Sequence, residues 1–215
     1  MNDLFPSQLP NQLLLVMGEH AASTWMLELA AWLSIQGPAR VLDGGNRFNA
    51  YPVARSIRRQ NFDPQVALAR IRLSRAFTCY QVDALLSEWP AVTHPTLVFD
   101  LLATFYDESV NLAESQRLLR KVLWQLEQLS KLAPVVVSTR LPATVCVERM
   151  VLFEMLKAQA GNLRLEMEVQ PGDLNDLKIT QPPLLPLFNE NPQLSNERKK
   201  THGQNSSLHH PGLFT

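Results

Sequence analysis

Short apolar runs alternate with longer stretches of mixed polarity over the first 170 residues of this 215-residue chain. Several of the runs are continuously apolar, which is typical of strands that are covered on both faces of a parallel sheet. They predict six strands, at residues 13–17, 41–43, 67–73, 97–100, 134–138 and 163–169.

The stretches between these runs predict helices at residues 22–36, 51–60, 79–89, 112–132 and 147–160. Gly37-Pro38 closes the first helix, and Thr78 with Gln81 forms a capping box before the third. The fourth carries one apolar stripe, made of Leu119, Val122, Leu123, Leu126 and Leu129. This alternation predicts an α/β layered domain with a mostly parallel central sheet and right-handed crossovers.

The composition changes near residue 170, which sets the expected domain boundary. We predict a core domain at 1–170 and a Pro-rich, largely disordered C-terminal tail at 171–215, which contains six of the fifteen prolines. An apolar segment at 182–188 could strap onto the core or dock on a partner.

The charge and cysteine content exclude several classes of protein. With 20 basic and 20 acidic residues the net charge is zero, so bulk charge alone does not hold nucleic acid or an acidic membrane. Cys79 and Cys146 are far apart, which excludes a disulfide framework or a thiolate metal cluster. We see no membrane span and no signal peptide, and we expect a cytoplasmic protein that is not an enzyme and uses no cofactor or metal.

The loop after the first strand, where ligands gather in parallel sheets, is a degraded phosphate loop. A working loop needs glycines, a lysine for the terminal phosphates and a hydroxyl for magnesium. Gly18 and Glu19 open this one, but Ser23 stands at the second glycine position and Thr24 at the lysine position. Trp25 stands at the hydroxyl position, so we predict no productive ATP hydrolysis.

Two aspartates end the second and fourth predicted strands. Asp43-Gly44-Gly45 offers no glutamate to activate a water. Asp100 stands where a P-loop ATPase has its magnesium-binding aspartate, and the other interpretation is a strand-end cap that binds nearby backbone N–H groups.

The order of these segments resembles the RecA/RadA-like recombinase superfamily. Gly18-Glu19 looks like the start of its G-E-x-x-x-G-K-T, and residues 41–48 look like its I-D-T-E-G-T-F segment. Residues 73–81 resemble its A-R-A-[FY]-N-x-x-H-Q stretch, and residues 97–106 resemble its L-[IV]-V-D Walker B region. The resemblance covers about residues 12–170 and implies a RecA-like three-layer α/β/α domain.

Departures from the family pattern indicate a non-catalytic member that lacks the Walker A motif. The strand ending N-Q has become Thr139-Arg140, and the two loops that contact DNA in the family are short here. What remains resembles recombinase paralogs and SulA-type division inhibitors. The resemblance implies an accessory protein of DNA recombination, repair or damage response, whose partner is a recombinase, a repair factor or a like subunit.

Two other hypotheses stay open. Gly18, Thr24 and Asp100 could form an unorthodox ATPase site. DNA could bind through Arg55, Arg58 and Arg59, which share one helix face, and through Arg140, although a solvated helix face would look the same. A second basic face, with Arg117, Arg120 and Lys121, has the same two interpretations.

Overall fold

The computed structural model describes residues 9–91 and 93–160, without the side chains of 144–146, and the backbone of Arg164–Glu168 and Lys178–Ile179. Its strands are β1 Leu13–Gly18, β2 Ala39–Asp43, β3 Ile71–Arg75, β4 Thr96–Phe99, β5 Val135–Thr139, β6 Arg164–Glu168 and β7 Lys178–Ile179. Its α-helices are α1 Ser23–Gln36, α2 Ala50–Arg59, α3 Pro64–Leu68, α4 Cys79–Glu88, α5 Leu112–Ser130 and α6 Met150–Ala160.

The strands form a single sheet in the order β3-β2-β4-β5-β1-β6-β7. All pairs are parallel except β6 with β7, which is antiparallel. Parallel neighbours require crossover connections, and the helices supply them. The predicted three-layer α/β/α architecture with a mostly parallel central sheet is therefore confirmed.

The two faces of the sheet are covered by different helices because successive strand residues point to opposite sides. On β5, Val135 and Val137 pack with α4, α5 and α6, whereas Val136 packs with α1, α2 and α3. The stripe predicted on the longest helix is buried from Leu119 to Leu126, which confirms that this stripe faces the sheet.

The predicted third strand, at 67–73, is wrong in its first half. Pro64–Leu68 is a short helix, and the strand runs instead from Ile71 to Arg75. The side chain of Asp63 accepts a hydrogen bond from the N–H of Gln65, and Pro64 lies in the first turn, where its missing N–H costs nothing. These two residues start a helix that the apolar run concealed.

Smaller differences from the predictions are found at three other places. The last predicted helix begins as a 3-10 turn, Thr144–Arg149, and becomes α-helical only at Met150. Asp100 was placed inside the fourth strand but follows it, in a left-handed conformation with φ 47°. Thr78 caps α4 as predicted, while the side chain of Gln81 accepts from the N–H of Phe77 instead of Thr78.

Of the predicted tail, 171–215, the structure describes only the backbone of β7, Lys178–Ile179, which pairs with β6. The disorder expected for the rest of the tail and the apolar segment at 182–188 lie outside the described residues. Among the described helices, none is both long enough and apolar enough to cross a membrane.

Candidate functional site

The carboxyl ends of the strands bring most of the predicted site residues to one edge of the sheet. Gly18 is the last residue of β1 and Glu19 follows it, and the residue after β4 is Asp100. Arg140 follows β5, which lies between those two strands. The parallel order of the sheet therefore places the segment after β1 and this aspartate at the same end of the sheet, separated by one strand.

The segment after β1 turns through three consecutive left-handed residues. His20, Ala21 and Ala22 have φ values of 51°, 57° and 50°. Each costs about 1 kcal/mol in a residue that has a Cβ. Ala21 and Ala22 are buried, and this packing holds the turn, while Glu19 and His20 are exposed and lie 3.6 Å apart. The chain thus keeps a tight turn here without the glycines of a phosphate loop.

The start of α1 does not carry a phosphate-binding lysine. Its N-cap is Ala22, which provides no side-chain hydrogen bond to the helix. Ser23 is half-buried in the first turn, and Thr24, at the lysine position, is exposed. Trp25 and Trp32 pack against the buried Met26 cluster under α1.

Asp43 is the aspartate that binds backbone N–H groups. Its carboxylate is fully buried and accepts from the N–H of Arg47 at 2.8 Å and of Phe48 at 3.0 Å. The guanidinium of Arg75, at the end of the neighbouring β3, lies 3.4 Å from the same carboxylate. Asp43 therefore closes the turn after β2 and ties it to the edge strand.

Asp100 has a different environment from either sequence interpretation. Its side chain is fully buried, and one carboxylate oxygen, Oδ2, lies 3.3 Å from Nε of both Arg47 and Arg140. The other oxygen, Oδ1, has no hydrogen-bond partner among the described residues. Two guanidiniums thus neutralise the carboxylate that a magnesium ion would need.

Gly45 covers Asp100 from the side of β2. A Cβ added to Gly45 would lie 2.5 Å from Cβ and 2.6 Å from Oδ2 of Asp100. The backbone behind this contact is fixed, since the N–H of Gly44 donates to the Phe99 carbonyl at 2.9 Å. Gly45 and the two arginines therefore crowd Oδ2 of Asp100, so this oxygen is not free to bind a metal ion.

Hydrogen bonds from β5 and the loop after β4 complete the site. The N–H of Asp100 donates to Oγ of Ser138 at 3.0 Å, which fixes the left-handed residue against the sheet. The hydroxyl of Tyr106 donates to the carbonyl of Arg140 at 3.1 Å. Arg140 is therefore held at its backbone by Tyr106 and at its side chain by Asp100.

Two further arginines, Arg70 just before β3 and Arg75 at its end, are held inside the fold. Arg70 donates to the carbonyls of Ser34 and Ile35 at the end of α1. Arg75 donates to the Phe48 carbonyl in addition to its contact with Asp43. These two are structural, and Arg55, Arg58 and Arg59 lie on the exposed side of α2.

Sequence reasoning missed Arg47 and Arg149. The sequence analysis gave Arg47 no role, yet its guanidinium is one of the two that contact the carboxylate of Asp100. Arg149 is 2% exposed and donates to the carbonyls of Phe105 and Val110, each at 2.6 Å. The 3-10 turn before α6 places Arg149 under the loop after β4, and no periodicity in the sequence indicates that contact.

Tyr106 gives the site a testable pH dependence. Burial raises the pKa of its hydroxyl, and the charge of Asp100 raises it further. In the unfolded chain a tyrosine ionises near pH 10, so above about pH 10 the unfolded state releases a proton that the folded state retains. The free energy of unfolding therefore falls as the pH rises through this range.

We expect Tyr106→Phe to lower the free energy of unfolding by about 1 kcal/mol at pH 7, because the variant loses the hydrogen bond of the hydroxyl. Above about pH 10 the variant should lose stability less steeply than the wild type, by up to about 1.4 kcal/mol per pH unit. Urea unfolding at pH 7 to 11 measures both quantities. Parallel stability curves for the two proteins would contradict the assignment to Tyr106.

The described residues contain no group of three or more His, Cys, Asp and Glu side chains that could hold a metal ion. A scan against models of protein families and a search of curated proteins each found no match to the chain. The functional assignment therefore rests on the chain's own geometry: a carboxyl-edge site in which two arginines lie against the buried carboxylate of Asp100.

Proposed function

We propose that the chain is a non-catalytic RecA-like accessory protein that acts by binding another protein. One observation carries the proposal: Oδ2 of the buried Asp100 carboxylate is enclosed by Arg47, Arg140 and Gly45. In a P-loop ATPase the corresponding carboxylate must be open to the magnesium ion. The role in DNA recombination, repair or damage response comes from the sequence resemblance to the RecA/RadA-like recombinases.

The segment after β1 supports the same conclusion. Terminal phosphates of a nucleotide require a lysine or an equivalent cation beside the loop. Thr24 has no charge, and Arg140, which follows the neighbouring strand β5, is bound to Asp100. Of the two groups that would orient a metal-bound triphosphate, the lysine is thus replaced by Thr24, and the carboxylate of Asp100 is bound by arginines.

An exposed apolar surface beside β3 favours a protein partner. We call Phe77 and Tyr80, which are 70% and 50% exposed, the edge-side surface. Phe77 lies between β3, the outermost strand on this side, and α4, and Tyr80 lies in the first turn of α4. Exposed aromatic side chains beside an edge strand are typical of protein-binding surfaces.

Affinity capture with two matched double variants tests the proposed binding. Phe77→Glu/Tyr80→Glu places two charges on the edge-side surface, and Trp124→Glu/Leu132→Glu places two on exposed apolar positions of and just after α5. We expect a host protein that is captured by the wild type and the α5 variant and lost, by at least about tenfold, from the edge-side variant. Equal capture by all three proteins would overturn the proposed surface.

Phosphate release from Mg-ATP tests the non-catalytic part separately. We expect the wild type and Asp100→Asn to release phosphate at the same background rate. Turnover by the wild type that Asp100→Asn abolishes would establish the unorthodox ATPase site with Gly18, Thr24 and Asp100, and would overturn the proposal. The capture and turnover measurements are independent of each other.

A further inference from the structure

The outer face of α2 combines an aromatic ring with three arginines. Tyr51, Arg55 and Arg58 follow one another at intervals of four and three residues and lie on one side of the helix, with Arg59 beside them. All four are exposed, Tyr51 to 73%. The opposite side of α2, with Val53 and Ile57, is buried against α1 and the sheet. We call Tyr51, Arg55, Arg58 and Arg59 the arginine face.

The positive charge of this face is not balanced by its own segment of chain. Residues 44–62 contain four arginines and no aspartate or glutamate, although the whole chain has no net charge. The side chain of Arg59 is paired with Glu28 on α1. Among the described residues, no carboxylate lies within ion-pair distance of Arg55 or Arg58. The chain thus concentrates uncompensated positive charge beside an exposed ring.

The second basic face of the protein differs in this respect. On α5, Arg117 is paired with Glu114 and Lys121 with Asp83, at 2.7 Å and 2.9 Å. These two cations are largely neutralised by their own surroundings, so an added anion gains little from them. Of the two basic faces, the one on α2 is therefore the one that can accept further negative charge.

We propose that the arginine face binds single-stranded nucleic acid. Arg55 and Arg58 contact successive backbone phosphates, and the ring of Tyr51 stacks on an unpaired base. A duplex offers the same phosphates but keeps its bases stacked on one another, so the ring gains nothing there. This binding is separate from the edge-side surface and from the site at Asp100.

Fluorescence anisotropy with a labelled 20-nucleotide single strand and the matching duplex tests this proposal on the full chain. Arg55→Ala/Arg58→Ala is expected to weaken single-strand binding by about tenfold or more at low salt. The slope of log K against log salt should become shallower by about 1.4, because each phosphate contact contributes about 0.7. Tyr51→Ala should lower the affinity for the single strand by between about 5-fold and about 100-fold, and Tyr51→Phe should lower it by less than about 2-fold.

The variant Arg117→Ala/Arg120→Ala removes the same charge from α5 and serves as the matched control. It should leave affinity and salt slope close to those of the wild type. Equal losses in both arginine variants would mean that only bulk charge is sensed, and would overturn the proposal. So would unchanged binding in the α2 variant, or a duplex that binds as tightly as the single strand. Circular dichroism confirms that each variant is folded.

Discussion

Replacing both Arg47 and Arg140 by alanine is expected to lower the free energy of unfolding by about 3 kcal/mol. The carboxylate of Asp100 is fully buried, and these two guanidiniums are the cations on it. An uncompensated buried charge costs about 3–5 kcal/mol. The lower end applies because both arginine side chains are partly exposed and their removal admits water.

A third substitution separates this electrostatic effect from simple loss of packing. Adding Asp100→Asn to the double variant removes the unpaired charge and should restore at least about 1 kcal/mol of stability. Arg55→Ala/Arg58→Ala is the matched control, since it removes two exposed arginines and should change stability by less than about 1 kcal/mol. Urea unfolding measures all four proteins. If Asp100→Asn destabilises the double variant further, Asp100 is not held by charge.

The fold was predictable because most of its strands are buried on both faces. Short continuous apolar runs such as 13–17 and 134–138 are typical of such strands, and β1 and β5 lie within one residue of them. The prediction of the third strand was wrong in part because residues 67–73 span the end of a helix and the start of an edge strand. An edge strand is covered on fewer sides, so its apolar pattern is weaker.

The site was predictable in position and not in chemistry. The sequence correctly placed Asp100 at the carboxyl ends of the strands, because that position depends only on strand order and direction. Its partners Arg47 and Arg140 lie 53 and 40 residues away in the chain, and only the packing of β2, β4 and β5 brings them together. The predicted backbone-capping role belongs instead to Asp43, whose turn partners Arg47 and Phe48 are local.

Gly45→Ala is expected to cost about 2–3 kcal/mol, which lowers the melting temperature by about 4–12 °C for a domain of this size. The added Cβ would lie 2.5 Å from Cβ of Asp100, whose backbone is anchored through Ser138. Since neither side is free to retreat, the cost is steric and persists at every pH. Differential scanning calorimetry or thermal circular dichroism measures it.

Two other glycines provide a graded comparison. A Cβ at Gly44 would lie 3.2 Å from the carbonyl oxygen of Asp100, a contact that a shift of a few tenths of an ångström relieves. A Cβ at Gly37 would meet nothing within 4 Å, and its extended backbone suits alanine. The loss of stability should therefore decrease from Gly45→Ala through Gly44→Ala to Gly37→Ala, which should be neutral or slightly stabilising. If Gly45→Ala is as stable as Gly37→Ala, Asp100 is not sealed, and a cation could reach its carboxylate.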